Sequence, residues 1–390
     1  MTKILYIHHC GSRGGSSNSL SYLLKSIQDE SFEKHIITVD GPVVDIFKQI
    51  SKHVYVIKGI PQLGTTAGVN YQLTRNVLGQ LQKHLLKDIK ILIKEIKPDI
   101  VHINDVSSIQ VAKVAKECGC KVVCHIRIVP DHRYTLINNY VKKLLRQNVD
   151  EIIGIDESVS YAYRDVGSIN VVYNPLPEKL VNSPIVDHDD TRVNCLFLSN
   201  LLRHKGIYEV AEAAKQLRMN STIHFFIVGS NVKPPSFYKS IYGTILSRLG
   251  IYPDIELFLK KNKIKYQLNN LHLLGQINNI REILIKSHIL LFPSYMNEPS
   301  RSVFEAGVFG IPAIVAMRDK IEDVIEHGVN GLIIPEKNSH VLAEGIQELA
   351  ANWQLRKKMG LVARQKFLSL NNPREAARKV MAIYNKLHSA

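Results

Sequence analysis

The sequence predicts an α/β protein with two Rossmann-like domains, each built on a parallel sheet. Three observations lead to this prediction: short runs rich in Val and Ile recur along the chain, helical stretches separate them, and the alternation stops once and then begins again. Strands buried on both faces of a parallel sheet are apolar throughout and do not alternate. A chain of 390 residues is also long enough for two domains of about 180–200 residues each.

The first series of apolar runs predicts the strands of an N-terminal domain. These runs are Ile4–Ile7, His35–Val39, Ile100–Ile103, Val122–Ile128 and Ile152–Ile155. Between the second and third runs, apolar residues at helical spacing predict a helix from about Val77 to Ile96, with several Lys on its other face. Repeated strand–helix–strand units indicate a doubly wound sheet.

The pattern stops after Pro175, where NPLPEKLVNSPIVDHDDT contains three prolines and four acidic residues. This composition predicts a linker at 177–192 between a domain at 1–176 and a second domain at 193–370. The second series of apolar runs gives the strands Cys195–Leu198, His224–Val228, Leu271–Leu274, Ile289–Phe292 and Ile311–Ala316.

Two further segments lie outside this alternation. Residues 233–270 form a basic, Tyr-containing insertion for which we favour a helical pair on the sheet without assigning a role. Three helices are expected after Glu336. The last of them begins where Asn372 can cap and Pro373 suits the first turn, and we expect 371–390 to pack on the N-terminal domain.

The net charge of +15 and the pI near 9.4 predict an anionic partner, which composition alone leaves open between nucleic acid, a membrane and a phosphorylated substrate. Residues 51–150 carry 16 Lys and Arg against 7 Asp and Glu, whereas residues 151–190 carry 2 against 8. The basic runs lack interleaved aromatic residues, which argues against nucleic acid.

Cysteine usage and hydropathy bear on location and on metals. Five cysteines and the lack of a signal segment predict a reducing, cytoplasmic location, and no apolar run is long enough to span a membrane. Cys118, Cys120 and Cys124 lack the paired spacing of a zinc site, so we predict no metal.

Three loops carry residues suited to an anionic ligand. The first, GSRGGSS, places Gly14 and Gly15 before a helix N-terminus, where exposed N–H groups can face an anion. Its spacing is not that of a dinucleotide-binding loop, and a plain tight turn remains an alternative. The second loop follows the first strand of the second domain and places Arg203 and Lys205 where open α/β sheets bind ligands.

The third loop has the most specific pattern. After the strand that ends at Pro293, the sequence SYMNEPSRSVFEAG carries Glu298, opens a helix near Ser300 and places Glu305 on that helix. Ser300, Ser302 and the N–H groups of the first turn can bind phosphate, with Arg301 between them, while a carboxylate can accept from two vicinal ribose hydroxyls. A glutamate that only compensates the helix dipole is the alternative.

Taken in order, these segments resemble the GT-B glycosyltransferases, in particular the retaining family 4 (glycosyl transferases group 1). The resemblance rests on the Gly-Gly loop, PDIVHIND, DEIIGIDESV, VVYNPLP, the Lys-Gly pair, SYMNEPSRSVFEAGVFGIPAIVA and HGVNGLIIP, and it covers nearly the whole chain. It implies two Rossmann-like domains that face each other across a cleft, and the transfer of a sugar from a nucleotide diphosphate donor.

The resemblance assigns roles in the second domain. Glu305 matches the glutamate that holds the nucleotide ribose, and Lys205 the lysine that contacts the donor diphosphate. The arginine usual five residues before that lysine is Asn200 here, so Arg203 is expected to supply its charge. Six residues separate Glu298 from Glu305 where the family has seven, so either Glu298 or Asn297 takes the donor-sugar contact.

In the first domain the family places a histidine near the anomeric centre. His125 matches it, with Arg127 as alternative or companion, and His102 and His132 are weaker candidates. The resemblance further implies retention without a protein nucleophile, no cofactor or metal, and a glycan or lipid-linked acceptor. The basic 51–150 stretch is then expected to touch an anionic membrane from the cytoplasmic side. A catalytically weak nucleotide-sugar-binding subunit and a nucleotide-sugar epimerase are the alternatives.

Overall fold

The computed structural model describes residues 1–64, 84–131, 134–182, 185, 192–277, 279–297, 300–319 and 323–389. These residues form two compact units. The first contains the described residues up to Pro177 together with those from Asn371 onward, and the second contains those of Glu178–Leu370.

The first unit is a seven-stranded parallel sheet with strand order β3-β2-β1-β4-β5-β6-β7. Its strands are β1 (Thr2–His8), β2 (Phe32–Val39), β3 (His53–Ile57), β4 (Ile100–Ile103), β5 (Lys121–Ile126), β6 (Glu151–Gly154) and β7 (Ile169–Val171). The central strands are apolar and buried on both faces, as the continuous runs predict.

Helices on both faces complete this unit. They are α1 (Gly15–Ser26), α2 (Val43–Lys48), α3 (Leu85–Ile96), α4 (Gln110–Glu117), α5 (Thr135–Asn148) and α6 (Glu157–Ala162), together with α16 (Pro373–His388) from the chain's end. The start of α16 is confirmed, because Asn372 Oδ1 accepts from the N–H groups of Arg374 and Glu375 at 2.9 and 3.3 Å. The predicted helix from Val77 begins at Leu85 among the described residues, and 65–83 lies outside them.

The second unit is a six-stranded parallel sheet with order β10-β9-β8-β11-β12-β13. Its strands are β8 (Val193–Leu198), β9 (Ile223–Val228), β10 (Leu271–Gly275), β11 (Ile289–Phe292), β12 (Ala313–Ala316) and β13 (Gly331–Ile334). In both sheets the strand order reverses beside the first strand of the unit, which is where such sheets bind ligands.

The helices of the second unit are α7 (Glu178–Val181), α8 (Ile207–Gln216), α9 (Pro235–Lys239), α10 (Ile241–Arg248), α11 (Ile255–Lys265), α12 (Ile280–Leu284), α13 (Arg301–Val308), α14 (Ser339–Ala351) and α15 (Trp353–Leu370). The segment predicted as a linker at 177–192 therefore contains a short helix, α7. The predicted insertion at 233–270 holds three helices, α9, α10 and α11, where we expected two.

Helices α13 and α15 pack closely because glycines lie at the contact between them. A Cβ added to Gly360 would lie 1.8 Å from the carbonyl oxygen of Gly310, and one added to Gly307 would lie 2.1 Å from the Phe367 ring. A carbonyl oxygen cannot rotate away as a side chain can, so Gly360 fixes how near α15 approaches the end of α13.

We therefore expect Gly360→Ala to lower the free energy of unfolding of the second unit by about 2–3 kcal/mol, since overpacking against backbone strains a helix contact. The emission of Trp353, the sole tryptophan, reports on α15 and can follow denaturant unfolding. Gly345→Ala in α14 is a matched control, because its Cβ would meet side-chain methyl groups of Leu332 and Ile314 at 3.2 and 3.4 Å, which can shift. Equal midpoints for the two variants would contradict the expectation.

Candidate functional site

The strand-order reversal of the second sheet, between β8 and β11, holds the second and third predicted loops. After β8 the chain forms a 3₁₀ turn at Arg203–Lys205 and enters α8 through Gly206. Gly206 has φ 81°, and an added Cβ would lie 2.1 Å from the carbonyl oxygen of Pro293. The glycine of the Lys-Gly pair is thus required by its backbone geometry, because only glycine allows this turn to lie directly against the end of β11.

Hydrogen bonds fasten the two loops together. The carbonyl oxygen of His204 accepts from Ser294 Oγ at 3.0 Å and from the Tyr295 N–H at 2.9 Å. Lys205 Nζ lies 3.3 Å from Met296 Sδ and 5.3 Å from the centroid of the Phe292 ring. The ammonium group of Lys205 is therefore held over the loop that leads into α13.

Two other polar residues of the loop after β8 are more exposed to solvent than Lys205. Asn200 and Arg203 are both exposed, whereas Lys205 is partly buried. Two cations, Arg203 and Lys205, thus lie within three residues at the carboxyl end of β8.

Helix α13 begins at this reversal with its first turn uncapped by a side chain. Ser300 is the N-cap residue but accepts no hydrogen bond from the first-turn N–H groups, and its Oγ lies 2.5 Å from Ser302 Oγ. Uncapped N–H groups at a helix start carry partial positive charge and suit an anion. Glu298, one of the two candidates for the donor-sugar contact, lies outside the described residues.

Glu305 lies in the second turn of α13 and is buried. Arg301 Nε donates to Glu305 Oε1 at 2.8 Å, one helical turn away. Burial raises the pKa of Glu305, and the Arg301 charge and hydrogen bond oppose that rise. A buried carboxylate with one cationic partner is a strong acceptor for hydroxyl groups in the same enclosed space.

Asn297, one of the two candidates for the donor-sugar contact, makes three side-chain hydrogen bonds within the protein. Its Oδ1 accepts from the N–H groups of Arg318 and Asp319 at 2.7 and 2.9 Å, and its Nδ2 donates to Asp319 Oδ2 at 2.8 Å. The residue is buried and has φ 55°, the left-handed region that asparagine tolerates. Asn297 therefore ties the β11 loop to the loop after β12, and its amide is occupied by protein.

A cavity of about 270 Å³ lies at the carboxyl ends of β8, β9 and β10 in the same unit. Leu201, Gly229 and Gly275 line it from the three strand ends, and Glu256 and Lys260 line it from α11. The wall combines apolar and charged groups, which suits a flat heteroaromatic ring with polar edges.

In the first unit, side chains from three strands form a continuous hydrogen-bonded chain that the sequence did not reveal. Arg127 donates through Nε and Nη2 to Asn104 Oδ1 at 3.0 and 2.8 Å, and Asn104 Nδ2 lies 2.8 Å from His8 Nδ1. His8 Nε2 lies 2.9 Å from Ser17 Oγ, which donates to the Ser12 carbonyl at 2.8 Å. Each group can donate to the next only if the His8 proton is on Nε2.

This chain connects Arg127 to the glycine-rich loop before α1. Gly14 and Gly15 begin α1 without a side-chain cap, and a Cβ added to either would meet nothing within 4 Å. Open space therefore adjoins the start of α1, as expected for a loop that receives a ligand. Arg127 also donates to Asn174 Oδ1, in the VVYNPLP segment.

His125 ends up in a buried, polar setting beside Arg127. Its Nδ1 lies 3.3 Å from Arg127 Nη2, and its Nε2 has no hydrogen-bond partner among the described residues. Burial lowers the pKa of His125 well below its usual range, and the charges of Arg127 and His102 act in the same direction. The ring is therefore neutral, and its Nε2 is a buried polar atom without a hydrogen-bond partner in the described part of the chain.

His102, one of the two weaker candidates, is buried in the protein interior. Its Nδ1 lies 2.7 Å from the hydroxyl of Tyr384 in α16, and that hydroxyl donates to Tyr6 at 3.2 Å. This contact joins the C-terminal helix to the first sheet. His132 lies outside the described residues.

The three closely spaced cysteines do not form a ligand set. Cys124 is buried in the apolar core on β5, and burial raises the pKa of its thiol. Within the part of the chain that the structure describes, Glu33, His35 and His53 are the three metal-ligating side chains that lie together. Glu33 Oε1 lies 2.8 Å from His35 Nε2 and 3.4 Å from His53 Nε2, on β2 and at the start of β3.

Comparison with protein families shows what the second unit is. Residues 180–366, slightly less than half of the chain, match the family model described as Glycosyl transferases group 1. The chain is a glycosyltransferase that carries a glycosyl transferases group 1 domain. This domain contains Lys205, Arg203, Asn297, Ser300, Ser302 and Glu305.

Relatives and solved structures agree with this. The chain is 22% identical over 364 residues to an uncharacterized glycosyltransferase of Methanocaldococcus jannaschii, covering 89% of this chain and 88% of that one. Two solved structures each cover 99% of this glycosyltransferase and all of their own chain. They are Anabaena HepE in complex with UDP-glucose, at 18% identity and TM-score 0.77, and an S. aureus TarM variant with Fondaparinux, alpha-GlcNAc-glycerol and UDP, at 14% and 0.74. Their likeness shows the fold, which is GT-B.

The predicted site residues of this glycosyltransferase thus fall into two groups. Gly14, Gly15, His125 and Arg127 belong to the first unit. The second unit contains Asn200, Arg203, Lys205, Asn297, Ser300, Arg301, Ser302 and Glu305.

Of the described helices, none is long and apolar enough to cross a bilayer.

Proposed function

We propose that the chain transfers a sugar from a nucleotide diphosphate sugar to an acceptor hydroxyl, with retention of the anomeric configuration, as family 4 enzymes do. One observation carries the proposal: at the β8–β11 reversal, the Lys205 turn is hydrogen-bonded to the loop before α13, an uncapped helix that carries the buried carboxylate of Glu305. A nucleotide diphosphate presents the charge and the vicinal hydroxyls that these groups recognise.

The diphosphate fits the cationic side of this site. Lys205, Arg203 and the first-turn N–H groups of α13 supply positive charge, and Ser300 and Ser302 supply hydroxyl donors. Negative charge grows on the diphosphate as the bond to the sugar breaks, so these groups stabilise the transition state more than the ground state. With this charge in place, we expect no divalent metal to be needed.

The nucleoside fits the remaining features of the second unit. Glu305 can accept hydrogen bonds from both ribose hydroxyls while Arg301 keeps it ionised. The cavity lined by Leu201, Gly229 and Gly275 can receive the base. HepE, with the same fold, has been crystallised with UDP-glucose, which makes a uridine nucleotide the first probe to test.

Retention follows if the acceptor attacks from the face that the diphosphate leaves. The bond between the anomeric carbon and the phosphate oxygen breaks, a bond from that carbon to the acceptor oxygen forms, and the acceptor's proton passes to the departing phosphate. No protein nucleophile takes part in this scheme. The role near the anomeric centre that the family resemblance gives to His125 remains part of this proposal; its ring lies beside Arg127, with Nδ1 3.3 Å from Arg127 Nη2.

For the acceptor we propose a glycan or a lipid-linked saccharide, and with it a peripheral contact with an anionic membrane. The TarM variant that shares the fold was crystallised with saccharide ligands, which supports a glycan acceptor. Cytoplasmic location remains part of this proposal.

Glu305→Gln tests the nucleotide site directly. We expect affinity for the preferred nucleotide to fall about 10–100-fold, because a hydrogen bond to a charged group contributes about 1.5–3 kcal/mol. A panel of nucleotide sugars in a thermal-shift screen, followed by calorimetry, identifies that nucleotide. The raised pKa of Glu305 also predicts that wild-type affinity falls on acidification at a higher pH than an exposed glutamate would give.

The control is Glu212→Gln, which removes another ion-paired glutamate of the same unit, held by Lys215 on the surface of α8. It should leave affinity unchanged. Unaltered nucleotide affinity in Glu305→Gln would contradict the ribose assignment, and a panel in which no nucleotide sugar binds would contradict the proposed function.

A further inference from the structure

The segment 232–253, which contains α9 and α10, exposes a row of large apolar side chains. Ile241 is 83% exposed, Tyr242 67%, Ile245 51% and Leu249 63%. Their spacing of one, four and eight residues from Ile241 places them along one side of α10 and its end. Single exposed apolar residues are common, but a contiguous row marks an interaction surface.

The charge of the same segment has one sign. Residues 232–253 contain Lys233, Lys239 and Arg248 and no Asp or Glu. Lys239, the last residue of α9, and Arg248, the last residue of α10, are both exposed. The row of apolar side chains is therefore flanked by cations, which selects an anionic partner.

Cations of the basic 51–150 stretch are placed differently. Lys90 pairs with Glu117 at 2.6 Å, and Lys116 pairs with Asp150 at 2.8 Å. Lys142 and Arg146 both pair with Asp165, at 2.6 and 2.8 Å. Part of the charge that the sequence suggested for a membrane contact is thus neutralised locally, whereas segment 232–253 has no acidic residue of its own.

The segment is ordered by its own aromatic residues. The Phe237 ring makes edge contacts with the rings of Tyr242 and Tyr252, at centroid distances of 6.2 and 5.6 Å, and Lys233 Nζ lies over Phe237 and Tyr252. A Cβ on Gly243 would lie 1.8 Å from the Phe237 carbonyl oxygen, so α9 and α10 cross in close contact. The close contact with α9 is made through Gly243, the buried residue of α10, while Ile241, Ile245 and Leu249 stay exposed.

The base of the segment is joined firmly to the second unit. Asn231 Nδ2 donates to Asp254 Oδ1 at 2.8 Å, and Asn231 Oδ1 accepts from the Ile255 N–H at 3.1 Å. Beyond it, Ile255 and Leu259 of α11 are buried in the core. The segment that contains α10 is therefore anchored to the folded core of the second unit.

We propose that segment 232–253 is a docking surface for an anionic phospholipid bilayer. Exposed Ile, Leu and Tyr side chains beside Lys and Arg are the composition of a helix that lies in the membrane interface, where apolar groups enter the acyl boundary and cations meet headgroup phosphates. A second copy of this chain fits less well, because a two-fold contact would bring three cations against three cations.

The proposal concerns binding and does not depend on the sugar transfer proposed above. It locates the membrane contact in the second unit, away from the 51–150 stretch that the sequence suggested.

The test is co-sedimentation of the full chain with vesicles of phosphatidylcholine, with and without phosphatidylglycerol. Wild type should bind the anionic vesicles and be released by high salt. Ile241→Asp should lower partitioning at least about tenfold, because it removes apolar burial and adds a like charge to the lipid's. Lys239→Ala and Arg248→Ala should each lower it about fivefold, which corresponds to about 1 kcal/mol for each cation near the surface.

Met219→Asp and Leu136→Asp are matched controls, since these apolar side chains are 86% and 87% exposed outside the segment. Both should bind as wild type does. Loss of binding in Leu136→Asp with full binding in Ile241→Asp would overturn the proposal in favour of the 51–150 stretch. A wild-type dimer that Ile241→Asp converts to monomer, with vesicle binding unchanged, would overturn it in favour of self-association. Glu305→Gln should bind vesicles normally, which separates this proposal from the nucleotide site.

Discussion

Replacing Lys205 by alanine should lower the turnover number for sugar transfer about 10²–10³-fold while the melting temperature stays near that of wild type. Removing one preorganised donor from developing negative charge has an effect of this size in enzymes. Lys205 is partly exposed, and its Nζ lies beside Met296 Sδ and the Phe292 ring. Its loss therefore removes charge at the proposed diphosphate without opening the core.

The measurement is release of nucleoside diphosphate from the nucleotide sugar that the panel selects, with and without acceptor. Lys358→Ala, at an exposed position of α15 in the same unit, is the control and should keep wild-type turnover. Lys205→Arg keeps the charge in a planar group and should recover part of the rate. Wild-type turnover in Lys205→Ala would exclude the diphosphate assignment. A rate that chelators abolish would contradict the proposed independence from metal.

The buried strands were predictable from the sequence because burial on both faces leaves a nearly continuous run of apolar residues, interrupted in β4 only by His102. β4 and β11, for example, are buried at every position. The three strands that the apolar runs missed have other compositions. β3 is half exposed, β7 has three residues of intermediate burial, and β13 begins with glycine. All three lie at the edge of a sheet, and in β3 and β7 no position is fully buried, so the continuous apolar run on which the prediction relies is lost there.

For the site, sequence could predict residues whose role follows from a local segment. Lys205 and Gly206 adjoin one strand end, and Glu305 lies on the helix that the third loop opens. The sequence could not predict the partners of Asn297, because Arg318 and Asp319 lie more than 20 residues further along the chain. The chain from Arg127 to Ser12 likewise depends on three strands meeting at one sheet edge.

The exposure of α10 was also hidden. Ile241, Ile245 and Leu249 in a helix predict a buried face when read as a pattern. In the structure, the rings of Phe237 and Tyr252 pack on each other within the segment, and the aliphatic side chains of α10 are exposed. Which of two possible faces packs inward is a property of the folded segment.

The largest effect on stability is expected from mild acid, because the first unit buries histidines in neutral form. The pKa of His8 is lowered to about 3, chiefly by burial and in smaller part by the charges of His9 and Arg127. Burial also lowers the pKa of His102 to about 3, again with Arg127 acting in the same direction. In the unfolded chain a histidine has a pKa near 6.5.

These lowered values set the sign of the pH dependence. Between about pH 6.5 and 3 the unfolded chain binds protons that the folded chain refuses, so acidification favours unfolding. Each such histidine costs about 1.4 kcal/mol for every pH unit below 6.5. Two of them remove on the order of 4 kcal/mol by pH 5, and His125 acts in the same direction. A typical domain has only about 5–15 kcal/mol of stability.

Denaturant unfolding at several pH values should therefore show a free energy of unfolding that declines steadily from pH 7 to pH 5. Far-ultraviolet circular dichroism reports on both units, whereas Trp353 lies in the second, so we expect the dichroism change to precede the tryptophan change on acidification. His102→Phe should reduce the slope by one proton whatever its effect on stability at pH 7. Tyr384→Phe, which removes the hydroxyl at His102 Nδ1, should destabilise at every pH and keep the slope. A free energy of unfolding that is constant across this range would show that these histidines are protonated in the folded state. Protonated His125 would then lie with its Nδ1 3.3 Å from Nη2 of the positively charged Arg127.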